Sequence, residues 1–183
     1  MEARYYRKLD EDKVQCELCP QFCVIESGSS GKCLVRENHD GTLEATQWGR
    51  IAAMQSDPIE KKPLYHFYPG SDVLSFGTAG CNLGCKFCQN CDMSRARQDD
   101  LTSISATPDQ IVATASHYKS KSIAYTYNEP TIFAEFLADT ASKARQNGIK
   151  NVMVTNGYIT EEARKDVYQN IDAPKPIYNL FAK

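Results

Sequence analysis

The eight cysteines of this 183-residue chain are confined to two short stretches, and this grouping limits its possible folds more than any other feature. The first group has the spacing C-x2-C-x3-C-x9-C, and the second begins with C-x3-C-x2-C. Thiols at such short intervals are typical of metal or cluster ligands. The two groups are Cys16, Cys19, Cys23 and Cys33, then Cys81, Cys85, Cys88 and Cys91.

The start of the chain and its charge predict a cytoplasmic protein. Residues 1–8 are charged and no apolar run follows them, so they do not resemble a signal peptide. No stretch approaches the ~20 apolar residues that span a bilayer. The formal net charge of −2 argues against nucleic acid or an anionic membrane as a partner. Because disulfides rarely persist in the cytosol, the cysteines are interpreted as ligands.

From residue 72 onward, short apolar strands alternate with helices, which predicts βαβ units and a parallel sheet in an α/β fold. Helix starts are indicated by the capping residues Thr107 and Thr160, and Gly148 is expected to end the middle helix. The predicted strands are Val73–Phe76, Ser122–Thr126 and Asn151–Thr155, and the middle helix is predicted over Thr131–Asn147.

Residues 1–70 are predicted to form a small Cys-rich module and linker, and residues 71–183 a separate core. The pair Asp40-Gly41 between two short apolar runs predicts a tight hairpin turn. Several prolines after residue 57 predict an extended linker. Lys61-Lys62 in this segment is interpreted as a solvated turn.

The first cysteine group suits either a structural zinc ion or a second iron–sulfur cluster. A module of this size has a thin hydrophobic core, so a bound metal would stabilise it. The competing interpretation is a set of buried thiols that bind nothing. The residues concerned are Cys16, Cys19, Cys23 and Cys33.

The second group follows the first strand of the core, where parallel α/β sheets gather their ligands. Three thiolates suit a [4Fe–4S] cluster whose fourth iron stays open to another ligand, whereas electron-carrying clusters use four cysteines. The alternative is a zinc site with Cys91 as fourth ligand, although zinc sites prefer paired C-x2-C arms. We therefore expect Cys81, Cys85 and Cys88 to hold a cluster and Cys91 to be a spare thiol.

This loop resembles the signature of the radical S-adenosylmethionine superfamily, including the aromatic Phe87 before its last cysteine. The resemblance implies that the open iron chelates S-adenosylmethionine, which is reductively cleaved to a 5′-deoxyadenosyl radical, and that Phe87 packs near the adenine. Glu129 stands where family members carry a Gly-Gly-Glu motif that holds the methionine amino group; an ordinary first-turn acid remains the alternative. Asn156 is expected to face the ligand, unless Thr155-Asn156-Gly157 is a plain turn.

Within the superfamily, the chain is most similar to pyruvate formate-lyase-activating-enzyme-like proteins, in particular to the AmmeMemoRadiSam branch. This similarity implies an oxidoreductase with a partial TIM-like (β/α) barrel, a reductant such as flavodoxin or ferredoxin, and a possible protein substrate. The motifs that carry the similarity are Cys16–Cys23, Asp57–Pro63, Cys88–Asn90 and Tyr127–Pro130.

The length of the core predicts a barrel truncated after about three βα units, since a complete barrel takes about 250 residues. The third strand would then form an open edge, and Pro174 and Pro176 fit neither a helix nor a central strand. Three functions stay open: an enzyme that cleaves S-adenosylmethionine, a catalytically incomplete iron–sulfur fragment, and a zinc-stabilised interaction module.

Overall fold

The computed structural model describes residues 1–176. None of the helices in that range has the length and hydropathy that a membrane span requires. The strands, in chain order, are β1 (Tyr6–Lys8), β2 (Val14–Cys16), β3 (Val24–Ile25), β4 (Arg36–His39), β5 (Thr42–Ala45), β6 (Arg50–Ile51), β7 (Ala53–Pro58), β8 (Asp72–Gly77), β9 (Ile104–Ser105), β10 (Ser122–Tyr125), β11 (Lys150–Thr155) and β12 (Ala173–Pro176). The α-helices are α1 (Cys91–Ser94), α2 (Pro108–His117), α3 (Ala134–Gln146) and α4 (Glu161–Val167), and 3-10 helices cover Ile59–Lys61, Gln98–Asp100 and Pro130–Phe133.

A five-stranded sheet in the order β12-β11-β10-β8-β7 forms the framework of the molecule. Strands β8, β10, β11 and β12 run parallel to one another, and β7 pairs antiparallel with β8. The α/β architecture with a largely parallel sheet is therefore confirmed. Helix α2 begins at the predicted cap, where the Thr107 hydroxyl accepts a hydrogen bond from the Gln110 backbone N–H.

The sheet continues beyond the third predicted strand. Strand β12 lies parallel to β11, with Ala173 opposite Val152 and Pro176 opposite Thr155. The prediction of an open edge at the third strand is therefore wrong. Prolines are tolerated here because β12 is the edge strand of the sheet formed by residues 1–176, where a missing backbone donor costs little. The rest of the divergent ending, residues 177–183, lies outside the described residues.

The segments before and after residue 70 share one sheet and one core. The hairpin of β4 and β5 turns at Asp40-Gly41 as predicted. Strand β7 belongs by sequence to the first segment, yet it pairs along the whole of β8. Val35 and Leu43 lie in the same hydrophobic cluster as Phe76 and Phe136. The Cys-rich segment is thus packed against the strand that leads to the second cysteine group.

Aromatic packing fixes the position of β8. Phe76 is fully buried, and its ring centroid lies 5.3 Å from Tyr125, 6.0 Å from Phe133 and 5.8 Å from Phe136. Edge-on and tilted contacts of this kind add to the stabilisation from burial. They attach the last residues of β8 to β10 and to α3.

A buried ion pair joins the Cys-rich segment to α3. Arg36 of β4 and Glu135 of α3 are each 1% exposed. The Arg36 Nη1 atom donates to Glu135 Oε1 at 3.0 Å and to Oε2 at 3.1 Å. The backbone N–H of Arg4 donates to Glu135 Oε1 at 2.8 Å, and Arg36 Nη2 donates to the Arg4 carbonyl. Each charge is therefore hydrogen-bonded as well as paired.

We expect Glu135→Gln to lower the free energy of unfolding by about 3–5 kcal/mol, because it leaves the Arg36 charge buried without its partner. Urea unfolding of the variant and the parent protein measures this difference. Asp109→Asn is the control, since it breaks the solvent-exposed Lys143–Asp109 pair, for which at most about 1 kcal/mol is expected. Equal losses in the two variants would contradict the prediction.

Candidate functional site

A cleft of about 610 Å³ lies at the carboxyl ends of β8, β10 and β11. Its size falls within the range of pockets that hold cofactors and small molecules, and its position is the usual one for ligands on parallel sheets. The residues that the sequence predicts to hold the cluster and S-adenosylmethionine all line it: Cys81, Cys85, Phe87, Cys88, Glu129 and Asn156.

The three cysteines of the loop line this cleft together and are each partly exposed. Residues 1–176 contain no group of three or more His, Cys, Asp or Glu side chains that is already arranged to hold a single metal ion. A cubane cluster makes a different demand, because each thiolate binds a separate iron atom. Three thiols around an open cleft fit that demand. Burial raises the pKa of the Cys81 thiol to about 11, so its ligation would release a proton.

Gly80 sets the path of the loop as it leaves β8. Its φ is +80°, and a Cβ atom there would collide with the Cys33 carbonyl and with the Val35 side chain. Its backbone N–H donates to the Met93 carbonyl at 2.9 Å. A Cβ added at Gly84, in the same loop, would meet no atom of the described residues within 4 Å. Only the first glycine is therefore required by packing.

Helix α1 and the residue after it hold the second half of the loop. The Cys88 Sγ atom lies 3.6 Å from Ser94 Oγ, and Arg95 Nη2 donates to the Cys85 carbonyl at 3.2 Å. Cys91 is exposed at the start of α1, and its Sγ lies 3.6 Å from Asp92 Oδ1. In the described part of the chain, Cys91 is not among the residues that line the cleft.

Glu129 joins the ends of β10 and β11 through its carboxylate, which is 1% exposed. Its Oε1 accepts from the Thr131 backbone and hydroxyl at 3.2 and 2.8 Å and from the Thr155 hydroxyl. Its Oε2 accepts from the Asn156 backbone at 2.7 Å and from Asn156 Nδ2 at 3.3 Å. Both carboxylate oxygens therefore fix the loop that carries Asn156 at the edge of the cleft.

The Tyr127–Pro130 motif contacts the cysteine loop directly. Tyr127 has a φ of +74°, and its carbonyl accepts from Asn90 Nδ2 at 2.8 Å. Asn128 Nδ2 donates to the Gly80 carbonyl at 2.7 Å. The Asn128 Oδ1 atom is buried and accepts no hydrogen bond from the part of the chain that the structure describes. Two motifs that are far apart in sequence thus form one wall of the cleft.

Lys62 is a cleft residue that the sequence interpretation missed. It was interpreted as part of a solvated turn, but it is 7% exposed and lines the cleft. That interpretation is wrong for Lys62 because the 3-10 helix at Ile59–Lys61 turns its side chain over Tyr127. Its place within the Asp57–Pro63 motif was the available signal.

The first cysteine group surrounds a second, much smaller cavity of about 20 Å³, next to the buried side chain of Arg36. Burial raises the pKa of the Cys33 thiol to about 12 and also raises the pKa of Cys16. Among residues 1–176, the Arg36 Nε atom finds no hydrogen-bond partner. The four cysteines that line the cavity are Cys16, Cys19, Cys23 and Cys33.

Comparison with known protein families identifies the superfamily to which this chain belongs. The model of the radical SAM superfamily matches residues 76–175, which is more than half of the chain. The chain belongs to the radical SAM superfamily. Membership implies a [4Fe–4S] cluster and S-adenosylmethionine as cofactors, in agreement with the sequence prediction.

Two known proteins show how similar this chain is to others in sequence and in structure. The chain is 47% identical over 164 residues to a protein of Methanocaldococcus jannaschii named "Uncharacterized protein MJ0808". That match covers 90% of this chain and 49% of the relative, so the chain spans about half the length of the curated relative that it matches. The crystal structure of QueE from Escherichia coli superposes with a TM-score of 0.44 and 16% identity, covering 59% of this chain and 52% of QueE.

Gly80→Ala is expected to lower the free energy of unfolding by more than about 1 kcal/mol and to reduce the iron bound after anaerobic reconstitution. The physical reason is the collision of the added Cβ with the Cys33 carbonyl, at a positive φ. Gly84→Ala is the matched control in the same loop, and its stability is expected to stay within about 0.5 kcal/mol. Thermal unfolding and iron analysis of both variants test this, and a fully loaded, stable Gly80→Ala protein would refute it.

Proposed function

We propose that this chain carries the cluster and cofactor site of a radical S-adenosylmethionine enzyme. The observation that supports this most strongly is the convergence of Cys81, Cys85 and Cys88 with Phe87 and Glu129 on one cleft. When bound, the cluster and S-adenosylmethionine supply one-electron reductive cleavage of the sulfonium, giving methionine and a 5′-deoxyadenosyl radical. The protein supplies binding, orientation and exclusion of water.

The residues around the cleft have separate roles in this proposal. The three thiolates hold the cluster. Phe87, which is 55% exposed, provides an apolar surface for the adenine. Glu129 positions Asn156 and contributes negative potential beside the methionine amino group. Asn156 donates or accepts hydrogen bonds at the same edge of the cleft.

We further propose an oxidoreductase of the pyruvate formate-lyase-activating-enzyme-like type, in the AmmeMemoRadiSam branch. The motifs behind that similarity support it, because Lys62, Asn90 and Tyr127 come from three of them and all line the cleft. The electron donor in this proposal is a flavodoxin or a ferredoxin, and the hydrogen donor is a protein or an unidentified small molecule.

Formation of 5′-deoxyadenosine tests the proposal. The anaerobically reconstituted and reduced protein is expected to release 5′-deoxyadenosine from S-adenosylmethionine, and Cys85→Ala is expected to abolish the product by removing a cluster ligand. Cys91→Ala is the matched control, since this exposed thiol lies outside the cleft lining in the described residues. Chromatographic quantification of the nucleoside measures all three proteins.

Two results would contradict the proposal. No product despite a full iron and sulfide count would favour the alternative of a catalytically incomplete iron–sulfur fragment. Equal amounts of product from Cys85→Ala and the parent protein would refute the assignment of Cys85 as a cluster ligand.

For the first cysteine group, we propose a structural zinc ion. The supporting observation is that Cys16, Cys19, Cys23 and Cys33 line one cavity of about 20 Å³, which has room for about one atom of the size of a water molecule. A cubane cluster is larger than that. Zinc–sulfur bonds of about 2.3 Å require the side chains to rotate toward a common centre. The buried Arg36 Nε–H would then donate to a thiolate.

Metal analysis of a protein with Cys81, Cys85 and Cys88 all changed to alanine tests the zinc proposal. We expect one zinc and no iron per chain, because only the first group is left to bind metal. Adding Cys33→Ala is expected to remove the zinc. Iron and sulfide in the triple variant would favour a second cluster, and absence of both metals would refute a metal site there.

A further inference from the structure

Lys62 presents a buried ammonium group to the same cleft as the three cysteines. Its side chain is 8% exposed, and its Nζ lies 3.1 Å from Asp57 Oδ2. The same Nζ lies 5.1 Å from the centroid of the Tyr127 ring. Lysines are rarely buried to this degree unless they are paired or functional. The ammonium has three donor hydrogens, and Asp57 accepts one of them.

The charges around Lys62 are not balanced. Lys61 also pairs with Asp57, with Nζ 2.9 Å from Oδ1, so two ammonium groups share one carboxylate. Of the described residues that line the cleft, Glu129 is the only acid. It keeps its charge, but its hydrogen bonds to Thr131, Thr155 and Asn156 hold its oxygens at the ends of β10 and β11. Where Lys61 and Lys62 line the cleft, Asp57 offsets only one of the two ammonium groups, and one unit of positive charge remains there.

We propose that Lys62 is a binding residue for an oxyanion, a carboxylate or phosphate group, of a molecule that occupies the cleft beside the cluster. The inference rests on the proposed function and adds a recognition element to it. Asp57 and the Tyr127 ring hold the ammonium in place, because one accepts a hydrogen bond and the other provides a cation–π contact. Charge-assisted hydrogen bonds to an oxyanion are strong in such a partly desolvated site.

The oxyanion has two sources, the carboxylate of S-adenosylmethionine and an acidic group of the substrate. Equilibrium binding of S-adenosylmethionine and of its decarboxylated analogue to the reconstituted, unreduced protein separates them. If Lys62 holds the cofactor carboxylate, Lys62→Gln weakens binding of S-adenosylmethionine about tenfold and leaves the analogue unchanged. If it holds a substrate group, both affinities stay unchanged and binding of inorganic phosphate, followed by calorimetry, weakens instead.

Two further variants separate binding from a structural role. Lys62→Gln leaves Asp57 with Lys61 as its partner, so no buried acid is stranded. Asp57→Asn removes the charge of the positioning acid but keeps the ammonium and an amide oxygen that accepts from it, so oxyanion binding is expected to fall much less than in Lys62→Gln. Lys165→Gln removes an exposed lysine, 64% exposed, that pairs with Glu161, and it is expected to change nothing.

Unchanged binding of S-adenosylmethionine and of phosphate in Lys62→Gln would overturn the proposal. Equal loss in Lys62→Gln and Asp57→Asn would also overturn it, because the pair would then act only through the fold. Failure of the proposed function has a different signature. It would appear as absent 5′-deoxyadenosine from the parent protein, whereas phosphate binding requires no cluster.

Discussion

The ion pair between Arg36 and Glu135 is the interaction on which the arrangement of the molecule depends. Each side chain is 1% exposed, and a buried charge is tolerated only when it is paired and hydrogen-bonded. Arg36 lies on β4 beside the first cysteine cavity, and Glu135 lies on α3, which follows the end of β10. The pair therefore sets the Cys-rich segment against the helix that follows the cleft-lining segment after β10.

This docking brings the two cysteine groups close together. Gly80 begins the loop that carries Cys81, Cys85 and Cys88, and its lack of a Cβ allows the Cys33 carbonyl to approach it. Gln21, in the segment of the first cysteine group, donates from Nε2 to the carbonyl of Asn82 in the loop at 3.2 Å. A metal in the first site would therefore stabilise the backbone around the second. With the proposed zinc bound, the N-terminal cysteines would support the cleft without direct contact with a cofactor.

Local patterns predicted much of the framework. The spacing of Cys81, Cys85 and Cys88 indicated the family, and the capping residue Thr107 indicated the start of α2, because both signals depend on neighbouring residues in the chain. The pattern did not predict β12, since Pro174 and Pro176 disfavour a strand except at an edge. Whether a strand lies at an edge depends on its neighbours in space, and these are not encoded in local periodicity.

The sequence by itself determined which chemical groups are present and at what spacing: three thiols suited to a cubane, an aromatic residue beside them, and acidic and amide side chains after two strands. Only the tertiary structure decided that the Glu129 carboxylate accepts hydrogen bonds from Thr131, Thr155 and Asn156. It also decided that Lys62 is buried over Tyr127, in the cleft that the three cysteines line. The physical reason is that burial and hydrogen bonding arise where distant segments pack together. Residue type and spacing specify the local conformation, but the pairing of distant residues is settled by the packing of β7, β8, β10 and β11.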